Sequence, residues 1–163
     1  WNMLKNVGII AGAAALVFAP AAMADTYTPA STSTFSGPVT VQKDGAAYDC
    51  TLTVNVDATA GSSASGTASI GGTFPCGFIA VNGTGSVVYD GTYLTISGLV
   101  IDPPLSSGTC TGPIKTVWGG NSASPRNITL SVPLSNSSAT SGADCKMAGT
   151  LSQTAGSPLS ITP

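Results

Sequence analysis

The sequence predicts an all-β fold: an antiparallel β-sandwich or flattened barrel of about nine short strands, cross-linked by disulfides and preceded by a signal peptide. Hydrophobic and polar side chains alternate in short segments, which is the period of strands with one buried face. Gly, Pro, Asn and Asp separate these segments at intervals of about ten residues. Beyond residue 24, no pattern with the period of a helix persists.

Residues 1–24 have the layout of a bacterial-type signal peptide. Lys5 precedes the apolar run Val7–Ala19, and Ala22-Met23-Ala24 forms an Ala-x-Ala site, so we expect cleavage before Asp25. The run of about 13 residues is too short to cross roughly 30 Å of hydrocarbon. We therefore expect a secreted or cell-surface protein, with the periplasm as another destination, and no membrane span in the mature chain.

The mature chain is predicted to hold an extended arm and one β domain. Residues 25–37 are rich in Thr, Ser and Pro without a clear period and form the arm, and residues 38–163 form the domain. Tight turns are predicted at Lys43-Asp44-Gly45, Asn82-Gly83 and Asp90-Gly91. The predicted strands are 39–42, 48–57, 66–73, 78–81, 86–90, 93–101, 114–118, 127–134, 145–151 and 159–162.

Four cysteines give the strongest constraint on the fold: Cys50, Cys76, Cys110 and Cys145. An even number in an exported chain indicates two disulfides, and the spacing fits no CxxC metal or redox motif. Of the three pairings, we favour the neighbours in sequence, Cys50–Cys76 and Cys110–Cys145. Each such bond stabilises the fold by roughly 3 kcal/mol in the chain-entropy account.

The composition excludes several classes of function. The chain has no histidine, so Ser-His-Asp and Cys-His machinery cannot form, and the commonest transition-metal ligand is missing. After cleavage the chain would have four basic residues and seven Asp, so it has no basic patch for nucleic acid. We predict no catalytic, cofactor-binding or metal-binding residues, and no enzymatic activity.

The aspartates are interpreted as structural residues. Asp44, Asp90 and Asp102 stand beside Gly or Pro at predicted turns, where a carboxylate caps backbone N–H groups. Asp49 and Asp57 lie on the polar face of the clearest strand. No Asp-x-Asp-x-Asp run offers the clustered oxygen ligands that calcium needs.

The aromatic residues are predicted to pack in the core. Each falls within or beside an apolar block, although together they would also suit a surface for sugar or hydrocarbon. Trp118, followed by Gly119-Gly120, is the one most expected to be exposed. The set consists of Phe74, Phe78, Tyr89, Tyr93 and Trp118.

Several short motifs resemble the small secreted activators of alkane oxidation, the Pra-type proteins. The resemblance covers the mature chain and implies an exported, non-enzymatic protein that promotes growth on long-chain alkanes or has a surface or matrix role. The segment Phe78-Ile79-Ala80-Val81 departs from the family because it has no Trp. The motifs are Phe35-Ser36-Gly37-Pro38, Tyr48-Asp49-Cys50, Phe74-Pro75-Cys76-Gly77, Gly149-Thr150-Leu151 after Cys145, and Ser157–Thr162.

Two functional hypotheses follow. The first is an accessory protein that acts by surface activity at a hydrocarbon interface or as a component of the biofilm matrix. Its partners would be cell-surface components or further copies of itself. The low charge of the chain suits a hydrocarbon interface because charges are costly to desolvate. The alternative is a fimbrial, pilin-like subunit in which residues 25–37 serve as a donor strand for a neighbour. The poor alternation of these residues, and a C-terminus without a penultimate aromatic, weigh against it.

Overall fold

A computed structural model describes residues 25–104, 108–136 and 145–163, so the predicted signal peptide lies outside the described residues. These residues form thirteen strands and one 3₁₀ turn, Cys76–Phe78. No helix among them has the length and apolar character needed to cross a membrane. The strands are β1 (Thr26–Thr28), β2 (Thr32–Lys43), β3 (Ala46–Asp57), β4 (Ala64–Gly71), β5 (Ala80–Asn82), β6 (Gly85–Tyr89), β7 (Tyr93–Ser97), β8 (Val100–Asp102), β9 (Cys110–Thr111), β10 (Ile114–Trp118), β11 (Asn127–Asn136), β12 (Cys145–Ala155) and β13 (Ser160–Thr162).

Eight strands close into an antiparallel barrel. Their order is β10-β7-β6-β4-β3-β2-β12-β11, and β11 pairs back with β10 to complete the ring. β9, β8 and β5 continue from β11 as a small additional sheet, while β1 pairs with β13. The prediction of an all-β fold is confirmed, in its barrel form. Closure pairs the strands that would be the exposed edges of an open sheet.

The strands differ in length from the sequence-based expectation. β2 and β3 each have 12 residues, and several others have only two or three, so the structure has thirteen strands rather than about nine. The predicted strand 93–101 is divided by Gly98, whose φ of 94° ends β7. β8 then pairs with β5 and β9 instead of continuing along the barrel.

The predicted turns form, with one difference in pairing. Asp44 and Gly45 have φ of 51° and 81° and join β2 to β3 as a two-residue turn of the type that requires positive φ at both positions. Asp90-Gly91 joins β6 to β7, which pair as a hairpin. The chain also turns at Asn82-Gly83, but β5 on one side pairs with β8 and not with β6.

Residues 25–37 are paired within the chain. β1 lies against β13, and β2 runs without interruption past residue 37, between β3 and β12. Phe35 in this segment is fully buried and packs edge-to-face on Trp118, with ring centroids 6.1 Å apart. The Thr- and Ser-rich composition concealed an ordinary alternating strand, because its inward positions include the small Ser33 as well as Phe35.

Inward-facing side chains fill the barrel. Tyr27, Leu159 and Ile161, from β1 and the C-terminal segment, are buried among the same core residues. One end of the barrel contains the β2–β3 turn and the 3₁₀ turn, and we call it the disulfide end. The barrel core consists of Phe35, Val39, Val41, Leu52, Val54, Val56, Ile70, Val87, Leu94, Ile96, Ile114, Trp118, Ile128, Leu130, Met147 and Leu151.

Two disulfides connect the additional elements to the barrel. Cys50–Cys76 attaches the 3₁₀ turn to β3, and Cys110–Cys145 attaches β9 to β12. This is the pairing of sequence neighbours that the sequence analysis favours. The described residues contain no free cysteine.

Two glycines allow β2 and β12 to approach closely. A Cβ added to Gly37 would overlap the carbonyl oxygen of Thr150 and lie 3.1 Å from Leu151 Cα. A Cβ added to Gly149 would similarly overlap the carbonyl oxygen of Pro38. Glycine at these positions is therefore explained by backbone contact between adjacent strands.

Candidate functional site: an apolar patch at the disulfide end

The aromatic residues lie in positions different from those that the sequence predicts. Phe74 and Phe78, expected in the core, are 68% and 67% exposed, and Trp118, expected at the surface, is 7% exposed. Trp118 is buried because it ends β10 with its side chain inside the barrel, where its indole N–H donates to Asn121 Oδ1 at 3.2 Å. The two phenylalanines belong instead to the turn outside the barrel strands, so alternation does not govern them.

Phe74 and Phe78 form one contiguous surface, which we call the Phe patch. Their rings meet edge-to-face with centroids 5.8 Å apart and planes at 67°. This is the preferred geometry of an aromatic pair, and it usually occurs where side chains are packed. Here it stabilises two side chains that remain largely in water.

The backbone beneath the Phe patch is fixed by short hydrogen bonds and by burial. The N–H of Cys76 donates to Thr73 O at 2.8 Å, and the N–H of Phe78 donates to Pro75 O at 3.0 Å. Cys76 and Ile79 are 2% and 5% exposed. The segment therefore turns these residues inward while it holds the phenyl rings outward.

Gly72 lets the segment fold over its own disulfide. Its φ is 128°, in the region that favours glycine, and an added Cβ would lie 3.3 Å from Cys76 Cβ. Gly77 passes close to the same place, since its added Cβ would lie 3.2 Å from Gly72 O. A larger residue at either position would move the turn that carries the two rings.

Phe74 and Phe78 are the most exposed large hydrophobic residues among the described residues. The other large exposed hydrophobics, Val88 and Val117, stand on the barrel wall in β6 and β10. With about 200 Å² per phenylalanine side chain, two-thirds exposure gives an apolar area of roughly 270 Å². The largest apolar patch on a typical monomer is about 300–600 Å² and is often functional, so the Phe patch is close to the lower end of that range.

Charge around the Phe patch is sparse and acidic. No charged residue occurs in the sequence between Asp57 and Asp90, which includes the whole turn. On the neighbouring β-strands, Asp49 is exposed at the start of β3, and exposed Asp102 lies in register with Ala80. A neutral apolar phase therefore suits this end better than an anionic surface.

A cavity of about 200 Å³ lies beside the Phe patch; we call it the end cavity. It separates the β2–β3 turn from the segment that carries the phenylalanines. Its lining is mainly apolar, with one charged pair and one phenol. The lining residues are Val41, Lys43, Asp44, Ala46, Tyr48, Pro75, Ile79, Pro103 and Pro104.

The charged pair in the end cavity is Lys43 and Asp44. The Lys43 side chain is only 2% exposed, and its Nζ lies 2.8 Å from Asp44 Oδ2, a carboxylate whose side chain is 33% exposed. A buried ammonium needs such compensation because an unpaired charge in an apolar site is strongly unfavourable. The cavity thus combines mainly apolar walls with an ion pair.

The predicted structural role of the turn aspartates is confirmed for Asp90. Its Oδ1 accepts from the backbone N–H groups of Tyr93 at 2.7 Å and Thr92 at 3.0 Å. These hydrogen bonds hold the pKa of the Asp90 carboxyl below its usual value. Among the described residues, no three His, Cys, Asp or Glu side chains lie close enough together to hold a metal ion.

These features define a class: a disulfide-linked β-barrel that carries a pair of exposed phenylalanines on a turn outside its strands. The chain belongs to the family of alkane oxidation protein activators, PraA/PraB-like, whose family model matches residues 2–162. The sequence-based resemblance is thereby confirmed. The family description names an activator and not an enzyme. Comparison with curated proteins and with solved structures gave no significant match.

Proposed function

We propose that this protein is an exported, non-enzymatic accessory factor that promotes alkane use by contacting the hydrocarbon surface through the Phe patch. The observation that carries the proposal is the pair of phenyl rings, each about two-thirds exposed, on a disulfide-anchored turn. Membership of the activator family supports the alkane connection. Two disulfides support an oxidising compartment outside the cytoplasm.

The energetics favour an oil surface. Transfer of roughly 270 Å² of apolar area from water would contribute about 7 kcal/mol at about 25 cal/mol per Å². If only half of that area enters the oil, the contribution is still about 3 kcal/mol, or more than about a hundredfold in the partition constant. The uncharged turn adds no cost of removing an ion from water.

The first experiment measures partition of the exported protein onto hexadecane droplets and its effect on interfacial tension. The variant Phe74→Ser/Phe78→Ser is expected to lose at least a hundredfold in partition and most of the tension lowering. Val88→Thr/Val117→Thr is the matched control, because it removes two exposed apolar side chains from the barrel wall.

The outcomes separate the proposal from simple stickiness. Equal losses of droplet partition in both double variants would mean that any exposed hydrophobic side chain contributes, wherever it lies on the surface. No lowering of tension by the wild-type protein, relative to an inert exported protein of similar size, would refute surface activity and favour a matrix role. Vesicles of anionic phospholipid provide a further comparison, and we expect weaker binding to them than to hexadecane because exposed Asp49 and Asp102 lie on strands next to the turn that carries the Phe patch.

Strand donation between subunits finds less support. The residues that would form the donor strand are already held by β13, β3 and β12 of the same chain. Donation would therefore require β2 to separate from both of its neighbours in the barrel wall, β3 and β12, and would expose Phe35. A sedimentation measurement that gave an assembled state dependent on residues 25–37 would restore this alternative.

A further inference from the structure

We propose that the end cavity binds one end of a linear alkane as a single molecule, so that the protein takes up hydrocarbon in addition to contacting its surface. This inference rests on the proposed function, which supplies the hydrocarbon. The end cavity and the Phe patch are separate sites, because neither Phe74 nor Phe78 lines the cavity.

The end cavity has an apolar floor and opens to solvent. Val41 and Ile79 in its lining are only 3% and 5% exposed. Pro75 and Pro103 in the lining are buried as well. Ala46, by contrast, is exposed, so the cavity is open on its side. A hydrocarbon chain that enters there would meet aliphatic and proline side chains that need no polar partner.

The charged groups of the end cavity are already engaged within the protein. Lys43 Nζ lies 2.8 Å from Asp44 Oδ2, the Lys43 side chain is only 2% exposed, and both residues make further interactions. They therefore offer little to the head group of a ligand. Water in the cavity would also have few partners, and poorly bonded water is readily displaced by an apolar group. These conditions favour an occupant without polar groups.

The volume of the end cavity sets the length of chain that it holds. A methylene group is about the size of a water molecule, which takes about 30 Å³ in the liquid, so about 200 Å³ has room for roughly six or seven carbons. n-Hexane matches this volume, and a longer alkane would leave the rest of its chain outside. Each methylene group that the cavity buries should tighten binding by about fourfold.

The end cavity lies next to the Phe patch along the chain. Phe74 and Phe78 are exposed, whereas the residue after each of them, Pro75 and Ile79, is buried in the lining of the cavity. A protein that contacts oil through the two rings therefore has the cavity beside the oil surface. The bound alkane would come from that surface.

The test is a titration of the exported protein with n-hexane dissolved in water, followed by the methyl NMR signals of Ala46 and Ile79. Saturable shifts at both residues are expected, and affinity should rise by about fourfold per carbon from n-butane to n-hexane. Butane-1,4-diol, which has as many heavy atoms as n-hexane, should bind at least a hundredfold more weakly. No saturable shift with n-hexane, or equally tight binding of the diol, would overturn the proposal.

A matched pair of variants locates the site. Ala46→Leu places a larger side chain in the end cavity and should weaken n-hexane binding by at least tenfold, measured at the Ile79 methyls. Ala47→Leu, one position along β3 and outside the lining, should leave the affinity unchanged. Both alanines are exposed, so neither substitution disturbs the barrel core. Equal affinities of the two variants would overturn the location.

Failure of this proposal is distinguishable from failure of the proposed function. The titration contains no oil phase, so n-hexane binding and droplet partition are independent readouts. Phe74→Ser/Phe78→Ser should lose droplet partition and keep its affinity for n-hexane within about threefold, whereas Ala46→Leu should do the reverse. Loss of n-hexane binding in the double variant would place the alkane on the Phe patch and overturn the cavity site, whatever the protein does at a hydrocarbon surface.

Discussion

Removal of the Cys50–Cys76 disulfide should weaken droplet binding in addition to stability. In the chain-entropy account a closed loop of 26 residues stabilises the fold by about 3.5 kcal/mol, and one of 35 residues by only about 0.3 kcal/mol more. Cys50→Ala/Cys76→Ala and Cys110→Ala/Cys145→Ala should therefore lower the free energy of unfolding by similar amounts. Their effects on the Phe patch should differ.

The difference arises because only Cys76 belongs to the turn that carries the phenylalanines. Without its anchor, that turn must order two phenyl side chains on binding, at a cost of about 0.5–1.5 kcal/mol each. Droplet partition should fall by about tenfold in Cys50→Ala/Cys76→Ala and stay within about twofold in Cys110→Ala/Cys145→Ala.

The assay combines urea unfolding, followed by circular dichroism, with droplet partition at a urea concentration where all three proteins are folded. Equal partition of the two variants would refute the claim that the Cys50–Cys76 bond positions the Phe patch. Unequal stabilities, by several kcal/mol, would refute the loop-length argument.

Two further predictions concern the barrel. Gly37→Ala should lower the free energy of unfolding by about 1–3 kcal/mol because the added Cβ has no room against β12. Gly71→Ala is the control: nothing lies within 4 Å of its Cβ, so the free energy of unfolding should change by at most about 0.5 kcal/mol. Equal effects of the two substitutions in urea unfolding would contradict the close contact at Gly37. Burial, with the Asp25 carboxylate adding to it, raises the pKa of Tyr27 to about 12. In the unfolded chain this phenol ionises near pH 10, whereas in the folded protein it stays neutral up to about pH 12. Its contribution to the free energy of unfolding is thus complete below about pH 10 and is lost between about pH 10 and 12, by roughly 1.4 kcal/mol per pH unit. The difference in urea stability between wild type and Tyr27→Phe should follow that slope, and a difference that stays constant from pH 9 to 11 would contradict it.

The sequence predicts the regular part of the fold well. Residues 48–57 lie wholly within β3, and the turns at Asp44-Gly45 and Asp90-Gly91 form, because alternation and turn chemistry are local properties. The break at Gly98 was missed because the apolar residues continue through it, and only the pairing of β8 with another sheet reveals the change of direction.

The site is less accessible to sequence reasoning. A phenylalanine in an apolar block is normally buried, and the sequence around Phe74 and Phe78 gives no indication of which face the turn presents. Phe74-Pro75-Cys76-Gly77 falls between the predicted strands 66–73 and 78–81, but that break does not indicate whether the phenyl rings point inward or outward. The burial of Lys43 depends on contacts between distant segments, so it was not predictable from its neighbours.

The central claim is that the Phe patch is the part of the protein that meets hydrocarbon. Hydroxyl-radical footprinting of the wild-type protein, free in water and bound to hexadecane droplets, tests it without any substitution. We expect oxidation of Phe74 and Phe78 to fall several-fold on the droplets while Val88 and Val117 on the barrel wall keep their rates. Equal protection of all four residues, or protection of the barrel wall alone, would contradict the claim.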